Sequence, residues 1–504
     1  MTFRSGGLPQ IANGTTQIGG DLFLGLDVGT QGARCVACDA AGQVVAEATA
    51  AFEHGSTEPQ PGWHEQDPED WWQAALECLK AVAERAADAG WEPAALGRIA
   101  VTSTSGTIVL VDDEGQPLRP AVMYNDGRAA DQAARINDAA RLLIRKLGYR
   151  FSASFGLPKI LWLAEHEPET FDAARLCHPA DFLVGRLTGR YDASDTSNLL
   201  KDGYDLVDRR WPAFIARDLG LPLSKLPGVL RPGEPVGHVV TEVVQSAGLS
   251  AAALVCAGAT DGTAAFLASG AVAPGQWCST LGTTLVLRGV SPDLVRDAQG
   301  RIYCHAHPEG GWLPGAASNV GGECLEAHFE GEDWAALDAG VADAQPNDLI
   351  VYPLARRGER FPFVDPEAEG FVHGRQRSKA KLYAAHLEGV GFVERWGLEL
   401  MAELGAPVAG ALCGSGGATA SDVWLQLRAD ILDRAIQVAA DAHSAKGAAL
   451  LAAAGAFGSL SEAVVAMVHF HKAVEPRVTL RDYLDAKYAR FREFCAERYP
   501  AAST

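Results

Sequence analysis

Basic side chains are scarce in this sequence: 43 Lys and Arg stand against 63 Asp and Glu, giving a formal net charge of −20 over 504 residues. That shortage excludes general nucleic-acid binding, which neutralises phosphates with a Lys/Arg excess. Cysteine forms no framework. The ten cysteines are scattered, and no second C-x-x-C accompanies Cys35-x-x-Cys38, so a disulfide scaffold and a zinc clamp both fall away. Those two lie within Ala33–Asp39, a strand-like run in which residues three apart face opposite ways, and buried thiols in a reducing compartment are expected. His305 and His307 share a strand face without a Cys or carboxylate cluster nearby, and read as core histidines. Long hydrophobic runs are missing too. Residues 1–20 have no apolar segment of the kind a secretory signal needs and read as a flexible tail. The most apolar stretch, Gly447–Gly458, falls short of the roughly 18 residues of a membrane span. No membrane partner and a cytoplasmic location are expected.

What is present is globular. Hydrophobic residues make up 48% and charged residues 21%, and the length suits two large domains. The apolar run Leu22–Asp27, the turn Gly29-Thr30-Gln31-Gly32 and the returning run Ala33–Asp39 predict a hairpin, extended by a strand at Val44–Ala48. Asp67-Pro68-Glu69-Asp70 predicts a capped helix start, with Trp71, Trp72, Ala75, Leu76 and Leu79 on its apolar face. Arg98–Thr102 reads as a strand and Ile108–Asp112 as its hairpin mate. Residues 124–235 read as a helix-rich insertion, after which Ala252–Ala257 is again a strand. A second start follows: Gly275–Thr280, the turn Leu281-Gly282-Thr283-Thr284 and Leu285–Arg288 repeat the opening hairpin half a chain later. Further on, a long helix is expected at Lys379–Leu404, then a strand at Gly410–Cys413 ending in Gly414–Gly417, and a helix at Ser421–Leu432. The repeat points to duplicated halves around a cleft. The expected division is a tail at 1–20, domains at 21–270 and 271–475, and a helix at 476–504.

Turns rich in Gly and Thr gather backbone N–H groups and hydroxyls at one point, as polyphosphate oxygens require when few cations are available. Gly29, Thr30 and Gln31 on one side and Gly282, Thr283 and Thr284 on the other are the candidates. Gly416 and Gly417 would let backbone approach a flat base or ribose. Asp27 ends an apolar strand beside the first turn, where a carboxylate suits a Mg²⁺ carried in with a nucleotide. Asp261 ends another strand, at the edge where open α/β sheets place ligands. Asp126 and Arg128, two residues apart in a loop, suit vicinal hydroxyls.

Taken together, Gly25–Thr30, Gly62–Pro68, Tyr124–Arg128, Gly258–Gly262, Leu281–Thr284 and Gly414–Trp424 occur in the order found in FGGY carbohydrate kinases, and over residues 21–475 the chain resembles that family. The resemblance implies an α/β fold of two ribonuclease-H-like domains, of the actin/hexokinase/Hsp70 kind, flanking a catalytic cleft. It implies ATP-dependent phosphorylation of a sugar hydroxyl, with ATP and Mg²⁺ as the cofactors and a small sugar as the other partner. Asp261 would be the general base and a sugar contact, and Asp27 would serve the metal. Phosphates would meet Gly29, Thr30, Gln31, Gly282, Thr283 and Thr284, and adenosine Gly416 and Gly417. The chain resembles most the ribulose-kinase/xylulokinase-like branch of that family; its loop Ser103-Thr104-Ser105-Gly106-Thr107, with Asp195–Tyr204 and Glu359–Phe363, resembles the ribulose-kinase-like members, not the xylulokinase-like ones, and implies D-ribulose as substrate with Ser105, Asp126 and Arg128 near its hydroxyls. D-xylulose or a polyol is the alternative within the family. A non-catalytic sugar or nucleotide sensor is the alternative outside it, and a sensor would need neither Asp27 nor Asp261. Oligomeric state, a homodimer included, leaves no mark in the sequence.

Overall fold

The computed structural model describes residues 21–376 and 378–503; the tail expected at 1–20 lies outside the described residues. Two mixed sheets share one plan. In the first, β1 (Leu22–Val28), β2 (Gly32–Cys38) and β3 (Val44–Ala51) form an antiparallel meander, and β4 (Leu96–Ser103) and β6 (Leu254–Thr260) add in parallel beside β1. The short β5 (Pro235–His238) closes the edge, giving the order β5-β6-β4-β1-β2-β3. In the second sheet β7 (Trp277–Leu281), β8 (Leu285–Gly289) and β10 (Trp312–Ser318) make the meander, and β11 (Leu412–Ser415) and β12 (Ile436–Ala439) run parallel to β7. Edge strands β9 (Tyr303–Ala306) and β13 (Phe470–Val474) complete the order β9-β10-β8-β7-β11-β12-β13. Three antiparallel strands followed by two parallel ones, twice, is the ribonuclease-H-like arrangement that the resemblance implies.

Local chemistry sets the elements. Asp67 accepts from Glu69 N and caps α1 (Pro68–Asp88), with Pro68 where a missing N–H costs nothing; its Trp71, Ala75, Leu79 and Val82 pack on the first sheet. Ser378 caps the 25-residue α3 (Lys379–Glu403), and Ser421 caps α4 (Asp422–Leu432). Between the sheets lie α2 (Asp261–Ala268) and α5 (Ser444–Phe457), whose residues join strand residues of both sheets in a third core. The contact is close because the residues are small. A Cβ on Gly25 of β1 would stand 1.8 Å from Ala445 O, and one on Gly447 would stand 1.8 Å from Ala264 O. The Ala/Gly stretch too short for a membrane is thus the buried helix between the two sheets. No single helix among the described residues is long and apolar enough to cross a membrane; α5 with Leu460–Met467 passes on composition as a pair bent by 118°. The C-terminal helix α6 (Arg481–Arg498) packs Leu484, Tyr488 and Phe491 into the core that includes Trp277, Leu281, Leu285 and Leu287 of the second sheet.

One expected pairing is corrected. Val109–Val111 pairs with Arg175–Cys177, not with β4. Both edges of β4 are already taken by parallel β1 and β6, so the chain that leaves it must pair elsewhere.

Candidate active site

The site begins at a bulge. The pairing of β6 with β4 shifts between Cys256 and Ala259, where a Cβ on Gly258 would overlap Val101 O at 1.5 Å. Thr102 Oγ1 donates to Ala259 O at 2.7 Å and ties the strands again. Asp261 follows as the first residue of α2, accepting from Gly262 N at 2.5 Å. Burial raises its carboxyl above the ordinary range, opposed by the Gly262 N–H and by the cations Lys201 and Arg288. Asp27, paired with Thr102 across β1 and β4, ends at the same edge of the sheet. Its Oδ2 accepts from Ser444 Oγ at the start of α5, while Oδ1 is buried without a partner. Burial pushes Asp27 up to about 6; Ser444 opposes this and the charge of Asp261 adds to it. The charge of Asp261 thus reaches Asp27, and the two carboxylates lie at the same edge of the first sheet.

The two glycine turns are both formed. In the first, Gly29 N donates to Gly32 O at 3.0 Å, Gln31 O accepts from Phe52 N, and the side chains of Thr30 and Gln31 are exposed. In the second, Gly282 N donates to Thr284 O at 3.1 Å and Gly282 O accepts from Gly322 N at 2.7 Å. No hydrogen bond among the described residues joins one turn to the other. Gly416 takes a left-handed conformation (φ 86°), with a Cβ position only 2.5 Å from Leu281 O, so that turn accepts no other residue without strain. Gly417, Gly282 and Thr283 line a cavity of about 570 Å³, together with Trp334, Tyr383 and Trp424. Asp338 beneath it accepts from Tyr383 Oη at 2.8 Å and Ser421 Oγ at 2.6 Å. An apolar slot with aromatic walls beside a Gly/Thr turn suits a purine followed by phosphates.

The sugar-side candidates divide. Ser105 lies in the loop after β4, its carbonyl accepting from Lys201 Nζ at 3.2 Å. Asp126 and Arg128 are brought together as a pair: Asp126 accepts from His64 N at 2.6 Å and from Arg128 N and Nε at 2.9 Å each. Arg128 also pairs with Glu65 at 2.9 Å and lies 3.9 Å over the Trp63 ring. Both are almost wholly buried, and buried charges persist when paired. Arg128 Nη1 is the buried donor left unpartnered.

Four residues of the site are not candidates in the sequence: Arg288, Ser444 and Asp338 carry no local signal, and Lys201 enters only as part of the segment Asp195–Tyr204. Arg288, on β8 of the second sheet, reaches the first turn of α2, with Nη1 3.5 Å from Thr263 Oγ1. Cys35 and Cys38 are buried thiols with pKa values raised by burial, and His305 and His307 are buried with theirs lowered by burial.

Comparison with known proteins identifies the family. Residues 22–268 match the model of the FGGY family of carbohydrate kinases, N-terminal domain, and residues 279–456 that of the C-terminal domain. The chain is 30% identical over 450 residues to the xylulose kinase of Escherichia coli K12, covering 86% of this chain and 89% of that one. It is 31% identical over 455 residues to the xylulose kinase of Streptomyces rubiginosus, covering 88% and 89%. The solved xylulose kinase of Rhodospirillum rubrum superposes with a TM-score of 0.84 at 28% identity, covering 96% of this chain and all of that one. With both domain models matched in order, the chain belongs to the FGGY family of carbohydrate kinases, enzymes that phosphorylate a sugar at the expense of ATP.

Proposed function

We propose that the protein transfers the γ-phosphoryl group of ATP to the terminal hydroxyl of a ketopentose, with Asp261 as general base. The observation that carries this reading is the half-buried carboxylate of Asp261 at the bulged end of β6, its pKa raised by desolvation, at the same sheet edge as Asp27. Phosphoryl transfer has a loose transition state and needs positioning and charge neutralisation more than covalent help, with one carboxylate accepting the proton of the attacking hydroxyl. Asp261 holds that proton-accepting position, and its burial favours receiving it. Gly282, Thr283 and Thr284, with Gly29, Thr30 and Gln31, are proposed to hold phosphates, and the cavity beside Gly416 and Gly417 to take the adenosine.

A divalent cation fits the carboxylate of Asp27, whose Oδ1 is buried and unpartnered. Among the described residues no cluster of three or more His, Cys, Asp or Glu side chains is placed to hold a metal, so water and phosphate oxygens would supply the other ligands. Bound there, Mg²⁺ would neutralise phosphate charge. The division near Ala271 belongs to the same proposal and is supported by the two sheets, which begin their meanders at Leu22 and Trp277.

The names of the relatives favour D-xylulose as the ketopentose, and nothing in them favours D-ribulose. D-ribulose rests only on the resemblance of the loop Ser103–Thr107, Asp195–Tyr204 and Glu359–Phe363 to the ribulose-kinase-like branch. Coupled ADP-release assays with D-xylulose, D-ribulose, ribitol and glycerol decide. The expected result is a kcat/KM for one ketopentose about tenfold or more above the polyols; no sugar-stimulated ADP release from any of the four would refute the proposal.

A further inference from the structure

The contacts that fix Asp261 also fix a lysine. Thr260, the residue before it, donates its N–H to Ser197 Oγ at 2.9 Å. Ser197 in turn bonds Asp195, whose carboxylate caps the short helix Thr196–Leu199 by accepting from the N–H of Ser197 and Asn198. The chain leaves that helix through Leu200–Asp202, and Lys201 turns its ammonium back to the strand ends to donate to Ser105 O. Ser105 stands two residues beyond Ser103, whose Cα is paired with that of Thr260. Lys201 Nζ, Ser105 and Asp261 therefore meet at the carboxyl ends of β4 and β6. Gly106 packs against both neighbours: it has a φ of 85°, and a Cβ there would lie 2.4 Å from Ser154 O and 3.1 Å from Lys201 Cδ.

An ammonium has three N–H donors. The Ser105 carbonyl takes one, and the Phe155 ring, 5.7 Å away, offers a weak cation–π contact. Among the described residues Lys201 has no other hydrogen-bond or ion-pair partner. Lys159 nearby is tied more fully: wholly buried, it spends two of its three donors, on Ala153 O at 2.8 Å and Phe155 O at 3.2 Å. Burial lowers the pKa of Lys201, with Asp261 and Asp202 opposing, so this amine lies in a desolvated place. Unspent charged donors in such a place are costly unless a ligand uses them.

We propose that Lys201 is a substrate-binding residue, its ammonium donating to oxygens of an acyclic polyhydroxy sugar beside the hydroxyl presented to Asp261. The inference rests on the reading of this edge as the sugar site. Two free donors on one nitrogen match neighbouring oxygens on adjacent carbons, which an acyclic ketopentose offers along its length. Lys201 would then contribute to sugar affinity and leave the nucleotide cavity on the other sheet untouched.

Kinase assays of Lys201→Met and Lys201→Arg test this, with the sugar that the wild type turns over. For Lys201→Met the sugar KM is expected to rise about tenfold or more while the ATP KM stays within about twofold, and Lys201→Arg should recover part of the loss. A sugar KM within about twofold of wild type, or equal rises in both KM values, would overturn the proposal. Should the variants not fold, acylation of Lys201 by acetic anhydride in the wild-type protein, read by mass spectrometry, replaces them. The ketopentose, and not ATP alone, is then expected to slow labelling, and equal rates with and without sugar would overturn the proposal. Wild-type protein that turns over no ketopentose defeats the reading of the site, and the inference with it; an active wild type with an unchanged Lys201→Met defeats the inference alone.

Discussion

Asp261 carries the heaviest chemical expectation of any side chain in the molecule, and its removal gives the simplest test. Asp261→Asn keeps the shape of the carboxyl while losing its basicity, so turnover should fall about 10²- to 10⁴-fold. Nucleotide affinity should hold within about twofold, because the aromatic cavity lies on the second sheet. ADP release and quenching of tryptophan fluorescence by nucleotide measure the two; near-normal turnover would remove Asp261 from the base role. A second residue gives a pH signature. Burial brings the Lys159 amine down to about 7, whereas in the unfolded chain it titrates near its ordinary value of 10.5. Between those values the unfolded chain binds the extra proton, so this group's contribution to stability rises with pH through that window and is lowest below 7. The difference in melting temperature, Lys159→Met minus wild type, should therefore be more favourable at pH 6 than at pH 9, and a constant difference would contradict it. At this scale the sequence is legible where chemistry coincides with a strand end, as at Asp27 and Asp261. It marks the segment Asp195–Tyr204 but not Lys201 within it, and it is silent at Arg288, because the contacts of these two are with partners 96 and 25 residues away, which no local pattern records.

Elements inherit their precision from glycine. Gly25 faces α5 so closely that a methyl group would enter the Ala445 carbonyl, and Gly258 presses its strand onto Val101 O. Gly25→Ala should lower stability by about 1–3 kcal/mol or more, since overpacking here meets backbone and not a flexible side chain. Thermal melts read this, and an unchanged melting temperature would mean that α5 can shift. Strand and helix positions were readable from alternation, caps and Pro/Gly punctuation, as at Asp67-Pro68 and Ser421. Pairing was less so. Ile108–Asp112 follows a strand through a short polar loop, the pattern of a hairpin, yet the parallel neighbours of β4 had already used both of its edges. Long-range parallel pairing leaves no trace in the window that a periodicity samples.

At the scale of the whole molecule, the duplicated meanders show in the sequence through the repeated Gly/Thr turns, whereas the way the halves meet does not. Arg288 is one of the meeting points, a cation from the second sheet set against the first turn of the helix that begins with Asp261. Arg288→Gln should cost about tenfold or more in kcat with little change in melting temperature, and Arg288→Lys should restore part of it. A parallel loss of stability without a selective loss of kcat would reduce Arg288 to a tether. The ten cysteines bear on how such coupling can be watched. All are free and buried, so maleimide reagents find no native target on the surface. One introduced cysteine on each sheet would accept a donor and an acceptor dye without background, and energy transfer between them would report the width of the cleft, molecule by molecule, as sugar and nucleotide arrive.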